Sequence, residues 1–158
     1  MIRIVEPVIN HAVRDMCKMP YAGHPAGCPN FGSKRTCPPQ APLFEDIFDL
    51  AQPVYAIIYR FDMAIFKSKL RNQHPEWTEE QVRAAFYQTG DARNGLKQEI
   101  IRFLREHRVY RAVTSPEAMG VDVVATMQKA GIDLEWNSDQ TVYKIALAAV
   151  RKIRQASR

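Results

Sequence analysis

Pro53-Val54-Tyr55-Ala56-Ile57-Ile58-Tyr59 is the stretch whose reading decides the fold. Proline opens a strand but does not continue a central one, and the residues behind it are β-branched or aromatic apart from one alanine. A strand is predicted there. The period changes on both sides of it. Leu43, Phe44, Ile47, Phe48 and Ala51 recur at helical spacing, which predicts a short helix ahead of the strand, and Met63 to Asn72 reads as a helix behind it.

The alternation continues toward the C-terminus. Thr78 and Gln81 have capping-box spacing and Trp77 and Val82 occupy staple positions, so a helix is expected from there to about Gln88, closed by Gly90. Leu96, Ile100, Phe103 and Leu104 share one face of a long amphipathic helix between Asp91 and His107. Val109 to Thr114 reads as a strand. Ser115-Pro116-Glu117 then has the N-cap, N1 proline and early acid of a helix running to Gly131. Arg3 to Val5 suits a short strand and Val8 to Met16 a helix. Thr141 to Ala149 has features of both a strand and a helix. The expected fold class is α/β (or α+β), with one domain over residues 1–158 built on a small mixed sheet flanked by helices.

Between Cys17 and Pro42 this grammar stops. Pro20, Pro25, Pro29, Pro38, Pro39 and Pro42 stand there with Gly23, Gly27 and Gly32, a composition that excludes a helix or a central strand. A loop of about 25 residues is uncommon in a compact domain and tends to be functional. It holds all three cysteines of the chain, Cys17, Cys28 and Cys37. An odd count argues against a disulfide framework and for metal ligands, reduced thiols or a catalytic thiol. A lone cysteine is most often a small buried hydrophobe, but three in so short a proline- and glycine-rich loop point to a metal centre, loop 17–42.

Two centres fit the spacing. Wide separations between single cysteines suit a [4Fe–4S] cluster on Cys17, Cys28 and Cys37, with the fourth iron open or held by a non-cysteine ligand such as His24. Structural zinc needs four ligands, and His24 completes a Cys₃His set with the same cysteines. Spacing alone leaves both open. Lys18, Lys34 and Arg35 are expected to favour the thiolates.

The string Gly27-Cys28-Pro29-Asn30-Phe31-Gly32-Ser33-Lys34-Arg35-Thr36-Cys37-Pro38-Pro39 resembles a family labelled predicted metal-binding protein. That family's pattern is G-C-x-x-[YF]-G, then C-P-P, then a helix and an apolar strand, here Leu43 to Ala51 and Val54 to Arg60. Ser115-Pro116-Glu117-Ala118-Met119-Gly120-Val121-Asp122-Val123 looks like its second shared stretch. The resemblance covers about half the chain. It implies metal binding and a final strand over Thr141 to Ala149. Relatives carry a second cysteine group before the later stretch, and Val109 to Thr114 contains none, so the resemblance implies a single centre here.

The remaining composition is that of an ordinary globular protein: 158 residues, 46% hydrophobic and 25% charged. No apolar run nears the ~20 residues of a membrane span. The start, Met1 to Pro7, lacks a secretory h-region, so a cytoplasmic location is expected. Phosphate-loop, dinucleotide, zincin and nucleophile-elbow motifs are absent. The formal charge of +5 is compatible with anionic partners, a small-molecule substrate or RNA. Lys67, Lys69 and Arg71, Arg102, Arg105 and Arg108, and Arg151, Lys152, Arg154 and Arg158 are the basic groups, with Tyr59, Tyr110 and Tyr143 available to stack a base, although solvated helix faces and a basic C-terminal tail are the commoner reason for such groups. Sulfur transfer is the reaction that would draw on both an open iron and this charge.

Overall fold

The run at Val54 forms a strand of nine residues. A computed structural model describes residues 1–134 and 138–153. In chain order its elements are β1 (Ile2–Val5), β2 (Val8–Ile9), a 3-10 helix (His11–Lys18), α1 (Phe44–Ile47), β3 (Val54–Asp62), α2 (Met63–Gln73) and α3 (Glu79–Thr89). There follow α4 (Asp91–Glu106), β4 (Tyr110–Val113), a second 3-10 segment (Pro116–Met119), β5 (Val121–Asp122), α5 (Val123–Lys129) and β6 (Thr141–Val150). The four-stranded sheet has the order β1-β3-β6-β4, and β2 and β5 form a separate two-stranded ribbon.

The alternation of helices and strands matches the expected α/β (or α+β) class. The sheet expected to be mixed is antiparallel in every pairing among the described residues, so α+β is the narrower description. β3 and β6 pair from Tyr55 opposite Ala148 to Asp62 opposite Thr141. β4 covers β6 only from Leu147 to Val150. Toward its start β6 therefore has a strand partner on the β3 side alone among the described residues.

Both sheet faces are covered, which is why β3 and the second half of β6 are apolar at consecutive positions. On one face Ala56, Ile58, Leu147 and Ala149 meet Phe44, Phe48, Val121 and Met127. On the other, Ile57, Ala146 and Ala148 meet Leu96 and Phe103 of α4, the face that the periodicity marked. The helix sits so close that a Cβ on Gly95 would overlap the Tyr59 ring.

Local signals set most boundaries. The capping box forms, with the Thr78 N–H donating to Gln81 Oε1 at 2.8 Å and the Gln81 N–H to Thr78 Oγ1 at 3.3 Å. Gly90 ends α3 in the left-handed region, φ 74°. The strand reading of Thr141 to Ala149 holds.

Three expectations fail for one reason, long-range pairing. Val8 to Met16 is not one helix: Val8 and Ile9 pair with β5, and only the 3-10 helix follows. The helix expected from Ser115 to Gly131 is broken at Gly120, left-handed at φ 85°, and β5 intervenes before α5. The Asn10 N–H donates to the Gly120 carbonyl at 2.8 Å, tying the two breaks together. The helix ahead of β3 is only α1, because Phe48 turns extended and bridges Arg151 while its ring stays buried 4.6 Å from that of Phe44.

Ala is a better helix former than Gly by about 1 kcal/mol. At Gly95 the contact with Tyr59 outweighs that preference. Gly95→Ala is expected to destabilise the protein by about 1–3 kcal/mol, the usual range for overpacking, in urea or thermal denaturation.

Lys67, nearly buried on α2, is bonded to Glu79 and to Asp139 at 2.7 Å, and Arg71 and Arg83 join the network. The Lys67 ammonium holds the Glu79 and Asp139 carboxyls below the ordinary carboxylate range. Depressed carboxyls stabilise the fold above their unfolded pKa of about 4, and that contribution is lost as pH falls through their folded values. Lys67→Met should lower stability at neutral pH, and its deficit against wild type should narrow below about pH 4 in denaturation curves.

Candidate metal centre

The cysteine loop is held by its own backbone rather than by secondary structure. Cys17 lies near the end of the first 3-10 helix, whose N-cap Asn10 accepts from the Ala12 N–H at 3.2 Å. The Cys28 N–H donates to the Cys17 carbonyl at 2.8 Å, so the first two cysteines are joined through the main chain. Gly27 makes that approach possible. It is left-handed at φ 85°, and a Cβ there would lie 2.8 Å from the Lys18 carbonyl carbon and oxygen.

The second half of the loop is tied back similarly. The Gly32 N–H donates to the Pro38 carbonyl at 2.8 Å, and the Cys37 N–H to that of Lys34 at 3.0 Å. Arg14, from the 3-10 helix, donates to the carbonyls of Pro39 at 2.9 Å and Ala41 at 2.8 Å. Between the first two cysteines, Tyr21 and His24 exchange backbone hydrogen bonds and their rings stack at 4.5 Å. Tyr21 also meets Tyr87 of α3 edge-on at 5.1 Å, docking the loop on that helix.

All three cysteines are free and half-buried. Burial pushes the Cys17 thiol up, and the negative charges of Cys28, Cys37 and Glu117 push it further. The three thiols thus share one electrostatic neighbourhood. The cation next to Cys17 is engaged elsewhere: the Lys18 ammonium is bonded to Asp15 at 2.7 Å and lies over the Phe31 ring. Burial likewise raises the Tyr21 phenol, with the Cys28 charge and a hydrogen bond to Cys28 adding to it. Among the described residues, no three His, Cys, Asp or Glu side chains form a group arranged to hold a metal ion. His24 is brought beside Tyr21, not into such a group, and its Nδ1 is buried without a hydrogen-bond partner.

Two further charged residues belong to this neighbourhood. Glu117, in the second 3-10 segment, acts on Cys17, and burial raises its own carboxyl. Lys144, on β6, has its ammonium pushed down by burial, with Glu117 opposing and Arg93 reinforcing the shift. Neither was found from sequence. Glu117 reads there as the early acid of a helix. A lysine between Tyr143 and Ile145 was the available signal, since a charge inside an apolar strand calls for a polar destination.

The remaining histidines and the basic groups lie elsewhere. His11 is bonded to Glu45 at 2.6 Å, while His74 and His107 stack on Trp77 and Phe103. Of the basic groups, Lys67 and Arg71 are engaged with Glu79, Arg102 with Glu99, and Arg154 and Arg158 lie outside the described residues. Among the described residues no helix is long and apolar enough to cross a membrane.

An α+β domain that carries its three cysteines on one tethered loop defines a class by its loop. The family model described as "Predicted metal-binding protein (DUF2284)" matches residues 1–150, and the chain belongs to that family. Searches of curated proteins and of solved structures return no match.

Gly27→Ala should cost about 1–3 kcal/mol, because left-handed strain and backbone overlap act together. Gly32 is also left-handed, at φ 74°, but a Cβ there meets nothing within 4 Å. Gly32→Ala should therefore cost only about 1 kcal/mol. Denaturation curves compare the pair, and a disulfide reagent should label the thiols of the Gly27 variant faster.

Proposed function

We propose that Cys17, Cys28 and Cys37 hold a [4Fe–4S] cluster. The observation that supports this reading best is that Cys28 and Cys37 both act on the Cys17 thiol by charge. A thiol whose ionisation is opposed by burial and by two neighbouring cysteines belongs to a soft donor set that a metal cation would relieve. The Cys28-to-Cys17 backbone bond and the close approach at Gly27 support the same reading, since they keep two of the donors together before any ion binds.

With three thiolate ligands the cluster supplies one iron as a Lewis-acid position for a substrate sulfur or oxygen. The chain's own residues do the rest. Tyr21 is the hydrogen-bond partner of Cys28, while Arg14 fixes the loop's far end beyond Cys37. Redox or sulfur-transfer chemistry is the class of activity such a centre serves.

Structural zinc on Cys17, His24, Cys28 and Cys37 is the second reading, supported by the buried, unpartnered Nδ1 of His24. A neutral imidazole nitrogen without a donor to satisfy it is the form that ligates zinc.

Anaerobic reconstitution with iron and sulfide distinguishes the two. The cluster gives broad absorption near ~400 nm with equal iron and acid-labile sulfide, largely lost in Cys17→Ser. A colourless protein that instead retains stoichiometric zinc, and loses it in His24→Ala, overturns the cluster in favour of zinc.

A further inference from the structure

Beside the cysteine loop, two cavities of about 430 Å³ and 300 Å³ share the walls Phe86, Tyr87 and Lys144. Each is within the range of small-molecule sites, roughly 300–1,000 Å³. The smaller is lined by loop residues Tyr21, His24, Pro29 and Asn30 and by Arg93. The larger lies where β4 has ended, against Thr114, Ser115 and the start of β6, and its apolar wall includes Met63, Val123 and Leu134. A strand that outruns its neighbour leaves this space, and Lys144 lines both cavities.

The charges there are arranged in an uncommon way. Among the described residues, neither the Lys144 ammonium nor the Arg93 guanidinium has a carboxylate within salt-bridge distance. The Lys144 ammonium lies 5.7 Å from the centre of the Phe86 ring. The other cation of the larger cavity, Arg83, is already bonded to Asp139 at 2.5 Å and to Glu79 at 3.2 Å. A half-buried lysine with no ion-pair partner is costly to an apo protein, and an anion in the cavity offsets that cost.

We propose that the larger cavity binds a small carboxylate with an apolar body, its anionic end at the Lys144 ammonium, which also lines the smaller cavity with Arg93 and the cysteine loop, and its body against Met63, Phe86, Val123 and Leu134. The Glu117 carboxyl also lines the larger cavity, and in its ionised form it repels a second negative charge on the ligand; a monoanion suits the site better than a phosphate dianion. This deepens the proposed function, and rests on it, only in making the carboxylate the substrate presented to the centre on the loop; the binding itself needs no metal.

The test is calorimetric titration of the purified protein, as isolated and again after metal removal, with 4-phenylbutyrate, 4-phenylbutan-1-ol and 4-phenylbutyl phosphate. The carboxylate should bind in both preparations and the alcohol at least about tenfold more weakly, the factor expected for a charge-assisted hydrogen bond. Lys144→Met should abolish the preference for the acid, and Lys144→Arg should retain it. If the methionine variant does not fold, Arg93→Gln and the arginine variant answer the same question. Equal binding of acid and alcohol, no binding of the acid, or tighter binding of the phosphate overturns the proposal. Carboxylate binding by protein that fails to take up a metal upholds the cleft while removing the metal centre, so the two failures are distinct.

Discussion

The antiparallel pairing of β3 with β6 is the constraint on which the rest depends. It joins two strands far apart in sequence over eight residue pairs, from Tyr55–Ala148 to Asp62–Thr141, and both of its faces are roofed. Because α4 packs on one face and α1 and α5 on the other, the pair cannot slip by one residue without moving every side chain to the wrong layer. Ala146 and Ala148 beneath α4, with Gly95 against Tyr59, set how closely that layer approaches. Position and shape of the cleft follow from where this pairing outlasts its neighbour.

The same strand links the two chemical features. β6 has small residues where α4 covers it, then Lys144 and Val142 where it passes beyond β4 toward the loop. The cysteine loop approaches from the opposite end of the chain, docked by Tyr21 on Tyr87 of α3. Thiols, lysine and carboxyl therefore meet although each arrives on a different element. Burial of Cys17, Glu117 and Lys144 works in one direction for all three, favouring the neutral form, with charges acting between them.

Much of this was legible in the sequence, for identifiable reasons. α3 carries its own start signal in Thr78 and Gln81, and α4 its own face, so local rules sufficed. β3 was legible because a strand covered on both faces needs apolar residues at consecutive positions. Where β2 meets β5, the partners are more than a hundred residues apart, and the local pattern of Val8 to Met16 favours the wrong element. The cysteines stood out by spacing and by their proline- and glycine-rich setting. Glu117 and Lys144 did not, because their significance lies in a cavity between elements and no spacing rule encodes it.

Arg14 alters what occupancy of the loop would mean energetically. Its guanidinium reaches the carbonyls of Pro39 and Ala41 and so fastens the base of the cysteine loop to the 3-10 helix. Closing a loop of this length is the entropic barrier that a metal overcomes in the smallest metallodomains, which unfold without their ion. Here hydrogen bonds of the protein have closed it beforehand. An ion on this loop would order side chains rather than backbone, and it could exchange with the surroundings while the domain stayed folded.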